Sequence, residues 1–225
     1  MAARSGGTRA WPDGRIPRSN EYPRSILDEI ERHTRYPHQL LIDADGSKVA
    51  LQYRRSRKLR AEPDECYMRR ELFCWVVQNG DRVGSLHFVE WHIDWWADHD
   101  GFLEHMDRHC QAAADFADVV CSAWDINDLI GLGPIIEFRL SWMANRASNG
   151  RIWPLAAVAL IDLCYVSKSA VLVLKAFPLE YQGVAPPRSL SAKWMNRRRA
   201  AMLRHYRRHL GVQLLPAKLG KDGWM

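Results

Sequence analysis

Length, composition and charge limit the classes of protein to which this chain can belong. Its 225 residues suffice for one large domain or two small ones, and a hydrophobic share of 47% with ten tryptophans excludes a largely disordered protein. The net charge is +6, but carboxylates dominate between residues 86 and 130, whereas Lys and Arg dominate from residue 188 onward. An evenly charged surface is therefore not expected.

The amino-terminal segment differs in composition from the rest of the chain. Residues 1–22 are rich in Arg, Gly and Pro without periodicity, which predicts a disordered basic tail that lacks the apolar core of a secretory signal. No run of about 18 apolar residues predicts a membrane span, and the five cysteines form no CxxC pair. We therefore expect a cytoplasmic protein without membrane contact, in which residues 23–225 form a single domain.

The first half of the chain is predicted to be mainly antiparallel. A short helix after Ser25 precedes a strand at 48–58, and two β-rich runs then flank Asn79-Gly80, a pair typical of a tight hairpin turn. Apolar residues at spacings of three and four predict one helix over residues 100–124. The following run, IIEFRLSWM at 135–143, alternates apolar and polar residues and predicts a half-buried strand.

The second half is predicted to form a strand–turn–helix–strand unit. A helix begins near Pro154, a residue that costs nothing in a first helical turn, and an apolar strand follows at 169–177. A basic helix at 193–211 and a last strand at 212–217 complete the order. Together the elements predict an α+β fold with a mixed, mostly antiparallel sheet flanked by helices.

Residues 135–183, followed by MLRHYRRHLGVQLLP at 202–216, resemble the second half of the GNAT-superfamily N-acyltransferases. In that family, a strand ends in an Arg/Gln-x-x-Gly-x-Gly/Ala turn, and backbone N–H groups of the following helix hold the pyrophosphate of acetyl-CoA. Here the turn falls on residues 147–152, with Gly150 at the central glycine and Ile152 at the final small residue. The resemblance implies a cofactor site at Trp142, Met143, Asn149, Gly150, Arg151 and Ile152.

The resemblance also implies two catalytic residues. A later helix of the family carries a Tyr that commonly protonates the departing thiolate, and Tyr206 matches it with one extra residue before Leu-Gly. The family often uses a Glu on the strand before the turn as general base, and Glu137 is the only carboxylate on that polar face. Packing of Tyr206 against its own helix and a salt bridge from Glu137 to Arg139 are the structural alternatives.

Two further groups of residues leave the function open. His105 and His109 stand four apart on a predicted helix, but no third ligand is fixed by spacing, so no metal site is expected. Trp91, Trp95 and Trp96 lie among carboxylates, a composition that suits a groove for a cationic amine. The basic helix gives a second interpretation, nucleic-acid binding, although no helix-turn-helix or zinc spacing accompanies it.

Taken together, the resemblance implies transfer of an acetyl or related acyl group from acetyl-CoA, the co-substrate, to a small-molecule or protein amine. Nucleic acid is the less favoured partner, and a homodimer is an open expectation. The alternatives are a GNAT-like binding module that has lost catalysis and a basic nucleic-acid-binding protein.

Overall fold

The computed structural model describes residues 38–44, 46–60, 62–143, 152–176, 192–216 and 224–225. One six-stranded sheet organises these residues, and its strands are neighbours in chain order. Every neighbouring pair is antiparallel except the last, β5 with β6, which is parallel. The strands are β1 His38–Ala44, β2 Ser47–Arg55, β3 Tyr67–Gln78, β4 Asp81–Ile93, β5 Ile135–Met143 and β6 Val171–Leu174.

Five helices accompany the sheet within the described residues. Three lie between β4 and β5: α1 His99–His109, α2 Gln111–Ala123 and α3 Ile126–Ile130. Helix α4, Ile152–Cys164, connects β5 to β6, and α5, Ala192–Leu210, follows β6. The chain therefore has the mixed α+β content and mostly antiparallel sheet that the sequence predicts.

Tight turns set the register of the antiparallel strands. Asn79 and Gly80 have φ angles of 54° and 84°, as the predicted hairpin between β3 and β4 requires. Strand β1 is missing from the sequence prediction, and Gly46, with φ of 80°, turns it back into β2. The N–H of Gly46 donates to the side chain of Asp43 over 2.8 Å, which closes this turn.

Each face of the sheet carries its own hydrophobic cluster. We call the two sides the α4 face and the α2 face after the helices that cover them. The α4 face packs against α4 and α5, and its buried residues include Leu51, Leu72, Leu86, Phe88, Phe138, Ala156 and Leu160. The α2 face packs against α1 and α2, and its buried residues include Tyr67, Val89, Trp91, Phe102, Met106, Phe116 and Val120.

The single helix predicted for residues 100–124 is wrong, because the structure breaks it into α1 and α2 at Cys110. The backbone of Cys110 is extended, with φ of −176° and ψ of 161°, and it caps both helices. Its N–H donates to the carbonyl of Met106, and its own carbonyl accepts from Ala113 and Ala114. The break lets the apolar sides of both helices pack on the same hydrophobic cluster. The spacing of apolar residues in the sequence does not show this tertiary contact.

The chain end also differs from the prediction. Residues 212–216 form no strand; instead Met225 pairs with β6, and its N–H donates to the carbonyl of Leu174 over 2.8 Å. Trp224 beside it is 4% exposed and joins the α2-face cluster. The predicted tail at 1–22 and the helix after Ser25 lie outside the described residues. In the described ranges, no helix has the length and apolarity needed to cross a membrane.

Candidate functional site

The parallel strands β5 and β6 separate after four residue pairs. Ile135–Phe138 pairs with Val171–Leu174, whereas β5 continues to Met143. Over residues 139–143, the only partner strand that the described part of the chain supplies to β5 is β4. On the side of β6, the second half of β5 therefore has a backbone edge with which no described residue pairs, and we call this edge the β5–β6 opening.

A β-bulge marks the beginning of this opening. Phe138 pairs with Phe88 and Leu140 pairs with His87, so that Arg139 has no partner residue on β4. A bulge bends the strand that carries it and leaves the extra residue outside the regular ladder. Arg139 contacts Glu137, as their shared polar face predicts. The bulge itself was not predicted, because a two-against-one pairing leaves no trace in an apolar–polar pattern.

Trp153 joins the opening to the carboxy-terminal helix. It lies in the first turn of α4, and its ring is stacked over Phe138 of β5 with centroids 6.5 Å apart. On its other side, it contacts His205 at 5.0 Å and meets Tyr206 edge-on at 5.5 Å, both on α5. One indole therefore holds β5, α4 and α5 together on the α4 face.

The predicted acid and part of the predicted cofactor site pack on the α4-face cluster. Tyr206 is half-buried and packs against the α4-face cluster, and Ile152, the first residue of α4, packs there too. Met143, at the end of β5, pairs with Gly84, and Trp142 pairs with Ser85. The remaining members, Asn149, Gly150 and Arg151, lie outside the described residues.

Glu137, the predicted base, lies on the opposite side of the sheet from Tyr206. It is 6% exposed, and its Oε2 accepts the indole N–H of Trp91 over 3.2 Å. Its Oε1 accepts from Nε of Arg139, also over 3.2 Å. Both carboxylate oxygens are therefore engaged, in agreement with the salt-bridge alternative.

A polar cluster that the sequence prediction missed lies on the α2 face next to Glu137. We call Arg69, Glu71, His87 and His109 the His87 cluster. Nε2 of His87 lies 3.4 Å from Oε2 of Glu71. Arg69 donates to the other oxygen of Glu71 and contacts Nε2 of His109 over 3.1 Å. A sequence signal existed: Arg69, Glu71 and His87 interrupt strands that are otherwise largely apolar.

Burial controls the protonation of this cluster. It lowers the pKa of His87 below its ordinary value of 6.5, against the opposing pull of the Glu71 carboxylate. Burial also works to raise the pKa of Glu71, but neighbouring His87 and the charge of Arg69 outweigh it, so that this pKa is lowered. At neutral pH the pair therefore consists of an uncharged imidazole beside a carboxylate.

The acidic, histidine-rich block does not assemble a metal site within the described residues. Nδ1 of His105 accepts the backbone N–H of Cys66 over 3.0 Å, while His109 contacts Arg69. The two histidines line a cavity of 190 Å³ together with Glu62, Asp64, Glu65 and Arg108. The proposed tryptophan groove does not form as one surface, because Trp91 is fully buried whereas Trp95 is 84% exposed.

Helix α5 presents a cationic surface. Its exposed side carries Arg197, Arg198, Arg204, Arg207 and Arg208. Its partly buried residues, Leu203, Tyr206 and Leu210, pack on the α4-face cluster. Because the two sets lie on different sides of one helix, α5 can bind an anion while it stays attached to the core.

No protein-family model, curated protein or solved structure matches this chain. The GNAT resemblance consequently stays a prediction from the residues that carry it.

Proposed function

We propose that this chain is an N-acyltransferase with a GNAT-like arrangement, which moves an acetyl or related acyl group from acyl-CoA to an amine. The observation that carries the proposal is the β5–β6 opening, together with the ring contacts that connect Phe138 of β5 through Trp153 of α4 to Tyr206. A thioester cofactor needs an extended channel, an anion site and a proton donor close together. Strand β5 supports the channel, the beginning of α4 supports the anion site, and Tyr206 supports the proton donor.

The backbone of β5 supports the channel. An extended molecule with amide groups can add to a strand that lacks a partner, as peptides add to sheet edges. The pantetheine arm of CoA has two amides and suits the backbone at residues 139–143. A backbone N–H near the bulge at Arg139 would polarise the thioester carbonyl and stabilise the oxyanion formed from it.

The beginning of α4 supports the anion site. The first N–H groups of a helix have no partner within the helix, and its dipole places partial positive charge there. Both properties favour a diphosphate. Ile152 replaces the small residue usual in this turn, but it packs against the α4-face cluster, which reduces its conflict with a phosphate.

Tyr206 supports the proton donor. The uncharged amine would attack the thioester carbonyl, the C–S bond would break, and the phenol of Tyr206 would protonate the sulfur of CoA. Trp153, which also stacks on Phe138 of β5, meets the ring of Tyr206 edge-on at a centroid distance of 5.5 Å. The exposed arginines of α5 would attract the phosphates of the same cofactor.

Thiol release tests the proposal. The full chain is incubated with acetyl-CoA and a panel of polyamines, amino acids, aminoglycosides and protein amines, and free CoA is measured. We expect acceptor-dependent release with at least one class. Binding of acetyl-CoA without turnover on any acceptor would favour the inactive binding module instead.

The exposed arginines of α5 also favour a second candidate, nucleic-acid binding. Contacts made mainly to phosphates weaken steeply with salt, because each contact releases counterions. We expect binding of DNA or RNA to vanish near physiological ionic strength. Sequence-selective binding at that salt concentration would place this candidate above the enzyme.

A further inference from the structure

His87 is a buried imidazole with an incomplete set of partners. It is 9% exposed, and its Nε2 makes no hydrogen bond of good geometry to any described residue. Its closest ionic neighbour is Oε2 of Glu71, 3.4 Å away. Buried polar atoms are usually hydrogen-bonded, so an exception in a cluster of charges calls for a functional explanation.

The position of His87 connects it to the β5–β6 opening. Its partner on β5 is Leu140, the residue that follows the bulge and lies beyond the last pair with β6. On the other side, its ring stacks on Phe73 with centroids 4.3 Å apart and an interplanar angle of 12°. The ring is thus held rigidly on the α2 face, whereas Tyr206 lies on the α4 face.

Glu137 is less suited than His87 to take a proton at this place. Its two carboxylate oxygens already accept from Trp91 and Arg139. Protonation would weaken both contacts in a buried environment, which is costly. His87 instead has Nε2 facing the Glu71 carboxylate, so that its other nitrogen, Nδ1, can take a proton while this ionic contact becomes stronger.

We propose that His87 is the general base that takes the proton from the acceptor amine. This inference rests on the proposed function, with the acceptor arriving on the α2 face and acyl-CoA on the α4 face. Glu71 faces Nε2 and favours the tautomer with its proton there, which leaves the lone pair on Nδ1.

The proton balance of the step is as follows. The acceptor ammonium gives one proton to Nδ1, directly or through one water, and the free amine then attacks the thioester carbonyl. On collapse, the C–S bond breaks and Tyr206 protonates the sulfur. The second nitrogen proton restores the phenol of Tyr206 through water, and the imidazolium of His87 finally releases its proton to solvent. Glu71 stabilises the imidazolium in the interval.

The protonation state of His87 at rest agrees with this role. Burial lowers its pKa below 6.5, so that the ring is uncharged and able to accept a proton at pH 7. The charged groups that act on the ring come from two strands. They are Glu71 on β3 and Glu137 and Arg139 on β5.

Replacement of the ring with rescue by free imidazole tests the inference. His87→Ala should lower kcat/KM for the acceptor by about 10²–10⁴-fold, while the Kd for acetyl-CoA stays unchanged. Imidazole in the medium should restore part of the rate, because the substitution leaves a ring-sized cavity over Phe73. Acetyl-CoA, acceptor and imidazole without protein serve as the blank for uncatalysed thiol release, and wild type with imidazole shows any effect of imidazole on the intact enzyme.

His92→Ala is the matched control. His92 is also on β4 and mostly buried, but it faces Glu90 on the other side of the sheet. We expect its activity to stay near that of wild type and not to respond to imidazole. Glu71→Gln should lower kcat, but free imidazole should not restore it, because this variant still has the imidazole ring of His87.

The outcomes separate the two proposals. An active wild type with an equally active His87→Ala variant would overturn the role of His87 and leave the acyltransferase intact. A loss of activity that imidazole does not restore, together with a folded protein that binds acetyl-CoA, would also overturn it. A wild type that binds no acetyl-CoA would overturn the proposed function itself.

Discussion

Tyr206 and Trp153 show what single residues contribute to the proposed site. The sequence left Tyr206 with two roles, packing within its helix or proton donation to the thiolate. In the structure its ring meets Trp153 edge-on, a favourable aromatic geometry, and the same indole stacks on Phe138 of β5. Packing and proton donation are therefore compatible, and a substitution that separates them is informative.

Tyr206→Phe should keep the aromatic contact with Trp153 and remove only the hydroxyl. We expect kcat to fall by about 10²–10⁴-fold, the usual contribution of a positioned acid, with little change in the Kd for acetyl-CoA or in the melting temperature. Tyr53→Phe, on β2 and also packed on the α4-face cluster, is the control that should keep full activity. Equal rates for both variants would remove Tyr206 from the mechanism.

Glu90 is the residue whose charge contributes most clearly to stability. It is fully buried and accepts from Nε of Arg55 at 2.8 Å, from Nε of Arg70 at 2.6 Å and from the hydroxyl of Tyr165 at 3.3 Å. Burial works to raise its pKa, but His92 and the two guanidinium groups outweigh it and lower the pKa below 4.5. A buried carboxylate with this many donors is costly to remove singly.

Glu90→Gln should lower the free energy of unfolding by about 3–5 kcal/mol at neutral pH. Because the folded pKa is lowered, the contribution of the charge is complete above pH 4.5 and is lost as the pH falls through the folded value. The difference between wild type and variant in urea unfolding should therefore shrink below pH 4.5. Glu104 forms an exposed ion pair with Arg108 on α1, and Glu104→Gln should change the free energy of unfolding by less than about 0.5 kcal/mol. If the difference in the free energy of unfolding between wild type and Glu90→Gln did not change with pH, the charge of Glu90 would not be the cause of its contribution.

At the scale of elements, the sequence predicted the features that depend on neighbouring residues alone. The hairpin at Asn79-Gly80 follows from residues that tolerate positive φ, and α4 begins close to Pro154 as its missing N–H allows. The break at Cys110 and the bulge at Arg139 could not be predicted, because both depend on partners distant in sequence. The His87 cluster was missed for the same reason, since only the register of β3 against β4 brings Glu71 and His87 together.

Trp153 tests whether β5, α4 and α5 form one packed unit. Trp153→Ala should lower the free energy of unfolding by about 2 kcal/mol or more, because a large, partly buried ring is lost from three elements. It should also weaken acetyl-CoA binding, since Tyr206 and the first turn of α4 lose their shared support. Leu155→Ala, on the same helix but 42% exposed, should stay within about 0.5 kcal/mol of wild type. Similar unfolding midpoints for both variants would contradict the view that β5, α4 and α5 form one packed unit.

At the scale of the whole molecule, the sheet separates two chemical environments. The α4 face carries Tyr206, Trp153 and the cationic helix α5, whereas the α2 face carries the His87 cluster and the acidic helices. The uneven charge of the sequence anticipated two different surfaces, although not which side of the sheet each would occupy. In our proposal, the two sides share a reaction centre at the β5–β6 opening.

Titration of the full chain with acetyl-CoA by calorimetry tests the central claim most directly. We expect saturable heat at one site per chain, which Gly150→Trp abolishes without lowering the melting temperature, because a bulky side chain keeps the diphosphate from the turn before α4. Gly131→Trp is the matched control, since a Cβ atom there meets nothing within 4 Å and its φ of −72° suits any residue. The absence of heat and of a thermal shift at about 1 mM acetyl-CoA would contradict the proposed acyl-CoA site. It would mean that the binding free energy is smaller in magnitude than about 4 kcal/mol.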